Sequence, residues 1–298
     1  MVATGDLIAV TGGTGVVGRR LVTDLVDDGF RVRVLSRSAP DDDIEHVAVD
    51  FSDDRPLPSG ALDGCAAVAH LAAHIPASQE SEGAAPAAFQ TNVFGLLKLL
   101  AAMEEAGVTR LIQTTSANAY APGVSCAAED DPMFPSARAP FYLSSKLVQD
   151  VLGAYWHRNR GIAVTTLRLS SVYGAGVETS LLTRFVRLLR DGTPIRLANG
   201  GSFAVDFVEV GDVSRAIRLF LANEETGAFN IAGGEKNSLL DVCAQLVELT
   251  GAGPEALIVE RGEQAEAGFP AIDIAKAARL GFTPTPLRKG LERLVAST

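Results

Sequence analysis

Cysteine is scarce in this chain of 298 residues: Cys65, Cys126 and Cys243 are the only three, far apart and with no Cys-x-x-Cys pair. No even disulfide framework can be drawn, so free thiols in a reducing compartment are expected. No cluster of His, Cys and Asp has metal-ligand spacing, and no metal is expected. Runs of Lys and Arg are missing too. With 26 basic against 36 acidic side chains the formal charge is −10, which argues against a nucleic-acid partner, because phosphates demand basic clusters. The apolar stretch at 7–10 is too short to cross a bilayer, and the N-terminus lacks a basic-then-apolar leader with a cleavage site. A cytoplasmic protein without a membrane partner is the expectation. What is present is ordinary: 47% hydrophobic and 21% charged residues, enough apolar material for a sizeable core.

Short apolar runs alternate with longer amphipathic ones through the first 170 residues. Strands are predicted at 7–12, 31–37, 46–51, 66–73, 110–116 and 162–170. Helices are predicted at Val16–Asp27, Ala87–Ala106 and Phe141–Arg160. Strands alternating with helices mean βαβ units and a parallel sheet. The fold class predicted is α/β: a Rossmann-type doubly wound parallel sheet with a smaller α/β C-terminal substrate-binding region. Residues 1–173 are expected to form the dinucleotide-binding domain. Residues 174–298 are expected to be mainly substrate-binding, with segments around 203–234 returning to the first domain. In that later region, helices are predicted at Glu178–Arg190, Val213–Asn223 and Ser238–Thr250, and extended runs at 203–210 and 228–233. The stretch Ala121–Pro140 reads as a long loop, of a length that is usually functional or mobile.

The first strand runs into "TGGTGVVG". Gly13, Gly15 and Gly18 make G-x-G-x-x-G, and Gly12, Gly15 and Gly18 make G-x-x-G-x-x-G. The position, after a strand and opening a helix, argues for a pyrophosphate held by backbone and helix N-terminus. Where an NAD site carries an acid at the end of the second strand, Ser36 stands here, followed by Arg37. A planar, permanently charged guanidinium suits a 2′-phosphate, which favours NADP(H), with NAD(H) the alternative. The alternative acidic partner is the cluster Asp41-Asp42-Asp43.

Tyr142 and Lys146 are four residues apart at the start of a predicted helix, and so share a face. A lysine there is expected to lower the phenol's pKa and let it trade a proton with an alcohol or carbonyl. Ser116, at the carboxyl end of the fifth strand, has a hydroxyl where ligands of open parallel sheets sit.

On these residues the chain resembles the extended short-chain dehydrogenase/reductase family, the NAD-dependent epimerases and dehydratases that act mostly on nucleotide sugars. The resemblance runs nearly end to end. "TGGTGVVG" is similar to the family's cofactor fingerprint, implying contacts from Gly12, Gly15, Val16, Val17 and Gly18. "VDF" is similar to the adenine-holding segment, here Asp50 and Phe51. "HLAA" resembles the cofactor-lining loop, here Leu71, Ala72 and Ala73, and Asn92 matches a helix asparagine. Ser116, Tyr142 and Lys146 match the catalytic residues. The resemblance implies Tyr142 as acid/base, Lys146 on the nicotinamide ribose hydroxyls and Ser116 on the reacting oxygen. "LRLSSVYG", "VDFVEVGDV" and "FNIAGG" are similar to the family's nicotinamide-proximal and substrate segments.

Departures from the family narrow the reaction. Its sugar dehydratases carry Asp-Glu after the catalytic residue; Ala117 and Asn118 here argue against dehydration. Many members carry Arg before "DF" to pair with the substrate diphosphate; here the position is Val205, and Arg168, Arg184, Arg187, Arg196 and Arg261 are the candidate replacements. His74, Asn118, Ser171 and Arg261 are assigned to a small-molecule carbohydrate substrate. Three readings stay open: an NADPH-dependent ketoreductase on a keto-sugar, an epimerase with a retained cofactor, and a non-catalytic dinucleotide sensor. The family also implies a homodimer through the helix bearing Tyr142.

Overall fold

The computed structural model describes residues 2–40, 43–78, 83–135, 138–262 and 268–298. The chain divides into two compact units. One comprises 1–121, 132–168 and 214–229, and the other 122–131, 169–213 and 230–298.

In the first unit the strands β1 (Leu7–Thr11), β2 (Arg31–Ser36), β3 (Glu45–Ala48), β4 (Cys65–His70) and β5 (Arg110–Ser116) form a sheet. Its full order is Gly227–Ile231, Ala163–Leu169, β5, β4, β1, β2, β3. Pairings from β3 through β1 and β4 to β5 are parallel. The order reverses at β1, where β2 lies on one side and β4 on the other. Thr11 pairs in register with Leu35 and with His70, so the carboxyl ends of three strands meet at the crevice where such sheets bind ligands. β1 is buried at every position, as a strand covered on both faces must be.

Helix α1 (Val16–Asp27) follows β1 and buries Gly18, Leu21, Val22 and Leu25. Helix α2 (Ala84–Phe89) runs through a π-turn at Gln90–Phe94 into α3 (Gly95–Ala106). Gly107, left-handed at φ 68°, ends α3, a conformation that glycine adopts without a Cβ penalty. Helix α4 (Pro140–Asn159) packs against β5 and the 3-10 turn Ala117–Ala119. Leu96, Leu99, Leu100 and Met103 of α3 are fully buried in a cluster with Ala9, Val68 and Leu111 of the sheet.

The second unit has its own core, built from Tyr173, Leu182, Phe185, Val186, Val205, Phe207, Val242, Leu246, Leu291 and Leu294. Helix Leu181–Arg190 begins at Ser180, whose hydroxyl accepts from Leu182 N at 3.2 Å, and Ser238 caps Leu239–Thr250 in the same way.

Several predicted spans are corrected. The third strand stops at Ala48 rather than 51, because the Asp50 carboxylate accepts from Ser52 N and Oγ and turns the chain out of the sheet. The fourth stops at His70 rather than 73: the Leu71 amide is shared between the Thr11 carbonyl at 3.2 Å and the Thr11 hydroxyl at 3.1 Å, and the hydroxyl takes the Ala72 amide at 3.1 Å. The stretch 121–140 carries a short strand at Cys126–Ala127, paired with Ala271–Ile272. Ser136 and Ala137 of that stretch lie outside the described residues. The terminal helix Leu287–Ser297 was not anticipated. Its Gly290 sits where a Cβ would strike the Tyr173 hydroxyl.

Candidate active site

The turn from β1 into α1 is built around Gly12. Its φ is +66°, and a Cβ there would stand 2.8 Å from Ala72 N. Its carbonyl oxygen accepts from Gly15 N at 2.9 Å. A Cβ on Gly18 would collide with that same carbonyl. The spacing Gly12, Gly15, Gly18 therefore has a steric cause: one glycine makes the turn, another lets the helix close on it. Gly13 packs on Val34, where a Cβ would approach to 2.8 Å. Gly15, exposed at the start of α1, leaves the helix without a side-chain cap, and the first turn has no acid. Val16 and Val17 follow it, so their amides are in the first turn, the usual place to bind an anion.

At the end of β2, Ser36 is buried and its hydroxyl donates to Ser38 O at 2.7 Å. Arg37 is exposed. Asp50 is held below the usual carboxylate range, first by the Ser52 hydrogen bonds and also by the charge of Arg37. Asp43 is exposed, while Asp41 and Asp42 of the alternative acidic cluster lie outside the described residues. The Phe51 side chain is 5% exposed and lies edge-on to His70, at 5.7 Å between ring centres. Its ring belongs to the first unit's core.

His70 is fully buried, and burial and the charge of Lys146 push its pKa down to about 3. It is neutral, and its Nδ1 lies 2.8 Å from the Thr11 hydroxyl. That hydroxyl already accepts two amides, so its one hydrogen goes to the imidazole. The loop Leu71–Ala73 is thereby fixed to the end of β1. His74 is half-buried, and its backbone is gripped by Asn92: its N donates to Oδ1 at 2.7 Å and its O accepts from Nδ2 at 3.1 Å. Asn92 Nδ2 also donates to Ser145 Oγ at 2.8 Å, and Ser145 Oγ donates to Tyr142 O at 2.7 Å. The π-turn aims Asn92 this way, a common use of such turns at functional sites. Helical periodicity carries no signal for it.

Tyr142 and Lys146 occupy the first two turns of α4. Lys146 is 3% exposed; its Nζ donates to Thr114 O at 3.0 Å and lies 5.9 Å from the Tyr142 ring centre. Burial pushes the lysine down to about 7 and the phenol up to about 12. The expected lowering of the Tyr142 pKa by its lysine is not seen in this structure: burial of the phenol raises it instead. Ser116 is buried at the end of β5, and its hydroxyl accepts from Asn118 N at 3.3 Å across the 3-10 turn.

Ser171 and Arg261 belong to the second unit. Ser171 opens a short strand paired with Phe207–Glu209, and Arg261 is exposed. Glu263 of the "ERGE" segment lies outside the described residues. Of the other candidate cations, Arg187 pairs with Glu178, Arg196 with Glu260 at 3.5 Å, and Arg168 with Asp150 at 3.0 Å. Arg168 is buried in the first unit, with its guanidinium engaged by Asp150. Val205 is 4% exposed within the second unit's core, so an apolar residue suits its packing. Among the described residues no three His, Cys, Asp or Glu gather where they could hold a metal ion, and no helix is long and apolar enough to cross a membrane.

A Rossmann-type sheet with a glycine turn at its switch point and a Ser, Tyr, Lys set on β5 and α4 defines the class: an enzyme of the extended short-chain dehydrogenase/reductase kind. The chain belongs to the NAD dependent epimerase/dehydratase family, whose model matches residues 8–232. It is 27% identical to a putative UDP-glucose 4-epimerase of Methanocaldococcus jannaschii, over 97% of each chain. It is 26% identical to a dTDP-4-dehydro-6-deoxy-D-allose reductase of Streptomyces bikiniensis, over 97% of this chain and 94% of that one. Among solved structures, MoeE5 in complex with UDP-glucuronic acid and NAD is similar at a TM-score of 0.85, with 28% identity and 98% of each chain covered.

Proposed function

We propose that this protein is an NADP(H)-dependent oxidoreductase that reduces a keto group of a sugar linked to a nucleotide. One observation carries the reading. Tyr142 lies one turn from a buried Lys146 whose Nζ donates to Thr114 O at 3.0 Å, and reduction needs a proton donor at that place. The residues present fit a dinucleotide: Gly12 and Gly18 clear the backbone, and α1 offers uncapped amides to a pyrophosphate. When bound, that cofactor supplies the hydride.

The chain's residues then have distinct tasks. Gly12, Gly15, Val16, Val17 and Gly18 hold the pyrophosphate, and Ser36 and Arg37 hold the 2′-phosphate. Asp50 and Phe51 border the adenine, and Leu71, Ala72 and Ala73 line the cofactor. Lys146 binds ribose hydroxyls, Ser116 hydrogen-bonds the substrate oxygen, and Tyr142 protonates that oxygen as it gains charge. His74, Asn118, Ser171 and Arg261 are assigned to the sugar. Residues 1–173 are assigned to the cofactor and 174–298 mainly to the substrate, in a cytoplasmic homodimer.

A second reading is a sugar epimerase with a retained cofactor. It is favoured by relatives named as 4-epimerases and by neighbours solved with NAD. It uses the same three residues. The test is the near-ultraviolet absorbance of the purified protein, followed by turnover of a dTDP-4-dehydro-6-deoxyhexose with added NADPH or NADH. Stoichiometric consumption of NADPH supports the reductase. Co-purified cofactor, with interconversion of UDP-glucose and UDP-galactose and none added, replaces it with the epimerase. A Tyr142→Phe variant with full turnover excludes both.

A further inference from the structure

Arg168 and Asp150 form a buried pair that the proposed chemistry does not use. Both side chains are about a tenth exposed. Arg168 Nε donates to Asp150 Oδ2 and Nη2 to Oδ1, each at 3.0 Å, a two-pronged contact. Two further groups attach to the pair. Thr115 Oγ1 donates to Asp150 Oδ2 at 3.0 Å, and Arg168 Nη1 donates to Tyr120 Oη at 2.9 Å, with the guanidinium 5.4 Å from that ring's centre.

The attachment points surround Ser116. Thr115 is the residue before it on β5, and Tyr120 ends the 3-10 turn after it. Asp150 lies on α4 at the third place in the series Tyr142, Lys146, Asp150, spaced by four, so all three share one stripe of the helix. Arg168, on the strand Ala163–Leu169, ties that sheet neighbour to the other three.

We propose that Asp150 and Arg168 are a positioning pair that sets the place of Ser116 relative to Tyr142 by clamping β5, the 3-10 turn and α4 on one ionic fork. They act through the hydroxyls of Thr115 and Tyr120 that they hold. Replacing a buried pair by apolar residues of similar volume commonly leaves stability intact or improves it. The pair's worth then lies in the geometry it sets rather than in net stability. Misplacement by about 1 Å costs on the order of a hundredfold in rate.

The inference rests on the reductase or epimerase reading for its activity assay, so a second readout stands apart from it. The variants are Asp150→Asn and the double replacement Asp150→Leu with Arg168→Met. The single variant is expected to melt lower than the parent, since it leaves a buried guanidinium half-paired. The double variant is expected to regain the parental Tm, yet to keep kcat roughly 10- to 100-fold down on the turnover probe above, with NADPH affinity within about twofold by calorimetry. Hydrogen–deuterium exchange of 115–120 is expected to be faster in the double variant at matched Tm. Recovery of both kcat and exchange together with Tm means a merely structural pair, and overturns the proposal. Where the parent turns over no probe, the reductase and epimerase readings fail and exchange alone decides the pair. Where the double variant does not fold, Thr115→Val decides: it leaves the ion pair and removes one hydroxyl. It should cut kcat several-fold and quicken exchange at 116–120; unchanged values of both overturn the proposal.

Discussion

Lys146 donates from Nζ to the carbonyl oxygen of Thr114 at 3.0 Å, with its nitrogen 5.9 Å from the centre of the Tyr142 ring. A cation is thus held inside the protein by a neutral dipole, and burial moves its pKa from 10.5 down to about 7. A basic group whose folded pKa is lowered destabilises the fold while it must be charged. Here the cost is fully present below about pH 7 and is relieved as the pH rises toward the unfolded value of 10.5. Lys146→Met is expected to raise Tm by a few degrees near pH 6, less near pH 10, and to abolish turnover. A lower Tm at both pH values would contradict this account. The trade between stability and function is the expected one for a group retained for its chemistry.

Arg37 carries the cofactor prediction. It is exposed beside Asp50, whose carboxylate feels its charge. Arg37→Asp is expected to cost NADPH about 2 kcal/mol, roughly 30-fold in Kd, with NADH affinity unchanged or improved. Isothermal titration with both nucleotides measures it. Equal affinities in the parent protein would remove the basis for preferring NADP(H).

Asp206, 1% exposed, accepts from Gly233 N at 2.7 Å through Oδ1, and the amides of Gly234 and Ile272 also face its carboxylate. Burial pushes its pKa from 3.8 up to about 7. An acid raised in the folded state costs stability where it must ionise: the cost is absent below 3.8 and complete above about 7. Asp206→Asn should therefore gain Tm over the parent near pH 8 and lose that gain near pH 4. A pH-independent difference would show that the carboxylate is not the source.

The proposed homodimer has a surface to match. Val151 and Tyr155 are one turn apart on α4 and 59% and 48% exposed, and Phe94 of the π-turn is 53% exposed. Val151→Glu with Tyr155→Glu is expected to convert a dimer into a folded monomer in light scattering coupled to gel filtration, at unchanged Tm. A monomeric parent protein rules the dimer out.

Much of the first unit was legible because its signals are local. Burial on both faces makes β1 and β4 unbroken apolar runs, and α1 and β5 have the predicted bounds, Val16–Asp27 and Arg110–Ser116. Strand ends were less legible. Val49–Phe51 and Leu71–Ala73 look like strand, and leave the sheet because Asp50 and Thr11 offer side-chain oxygens that compete with the ladder. The π-turn at Gln90–Phe94 and the helix Leu287–Ser297 were missed for a related reason. A one-residue helical insertion leaves no periodic trace, and a short polar helix is stabilised by the core it caps, not by its own sequence.

The sequence by itself determined the class of molecule: the order of strands and helices, the three-residue glycine spacing, and the pairing of Tyr142 with Lys146 one turn later. These are fixed by backbone sterics and by helical period, which act over a few residues. Tertiary structure alone decided the electrical state and the supports of the site. It turned Arg168 from a candidate ligand into half of a buried pair, made His70 neutral, raised Tyr142 and lowered Lys146. Those outcomes depend on which groups exclude water from one another, and residues as far apart as Thr11 and His70, or Asp150 and Arg168, meet only once the sheet has formed.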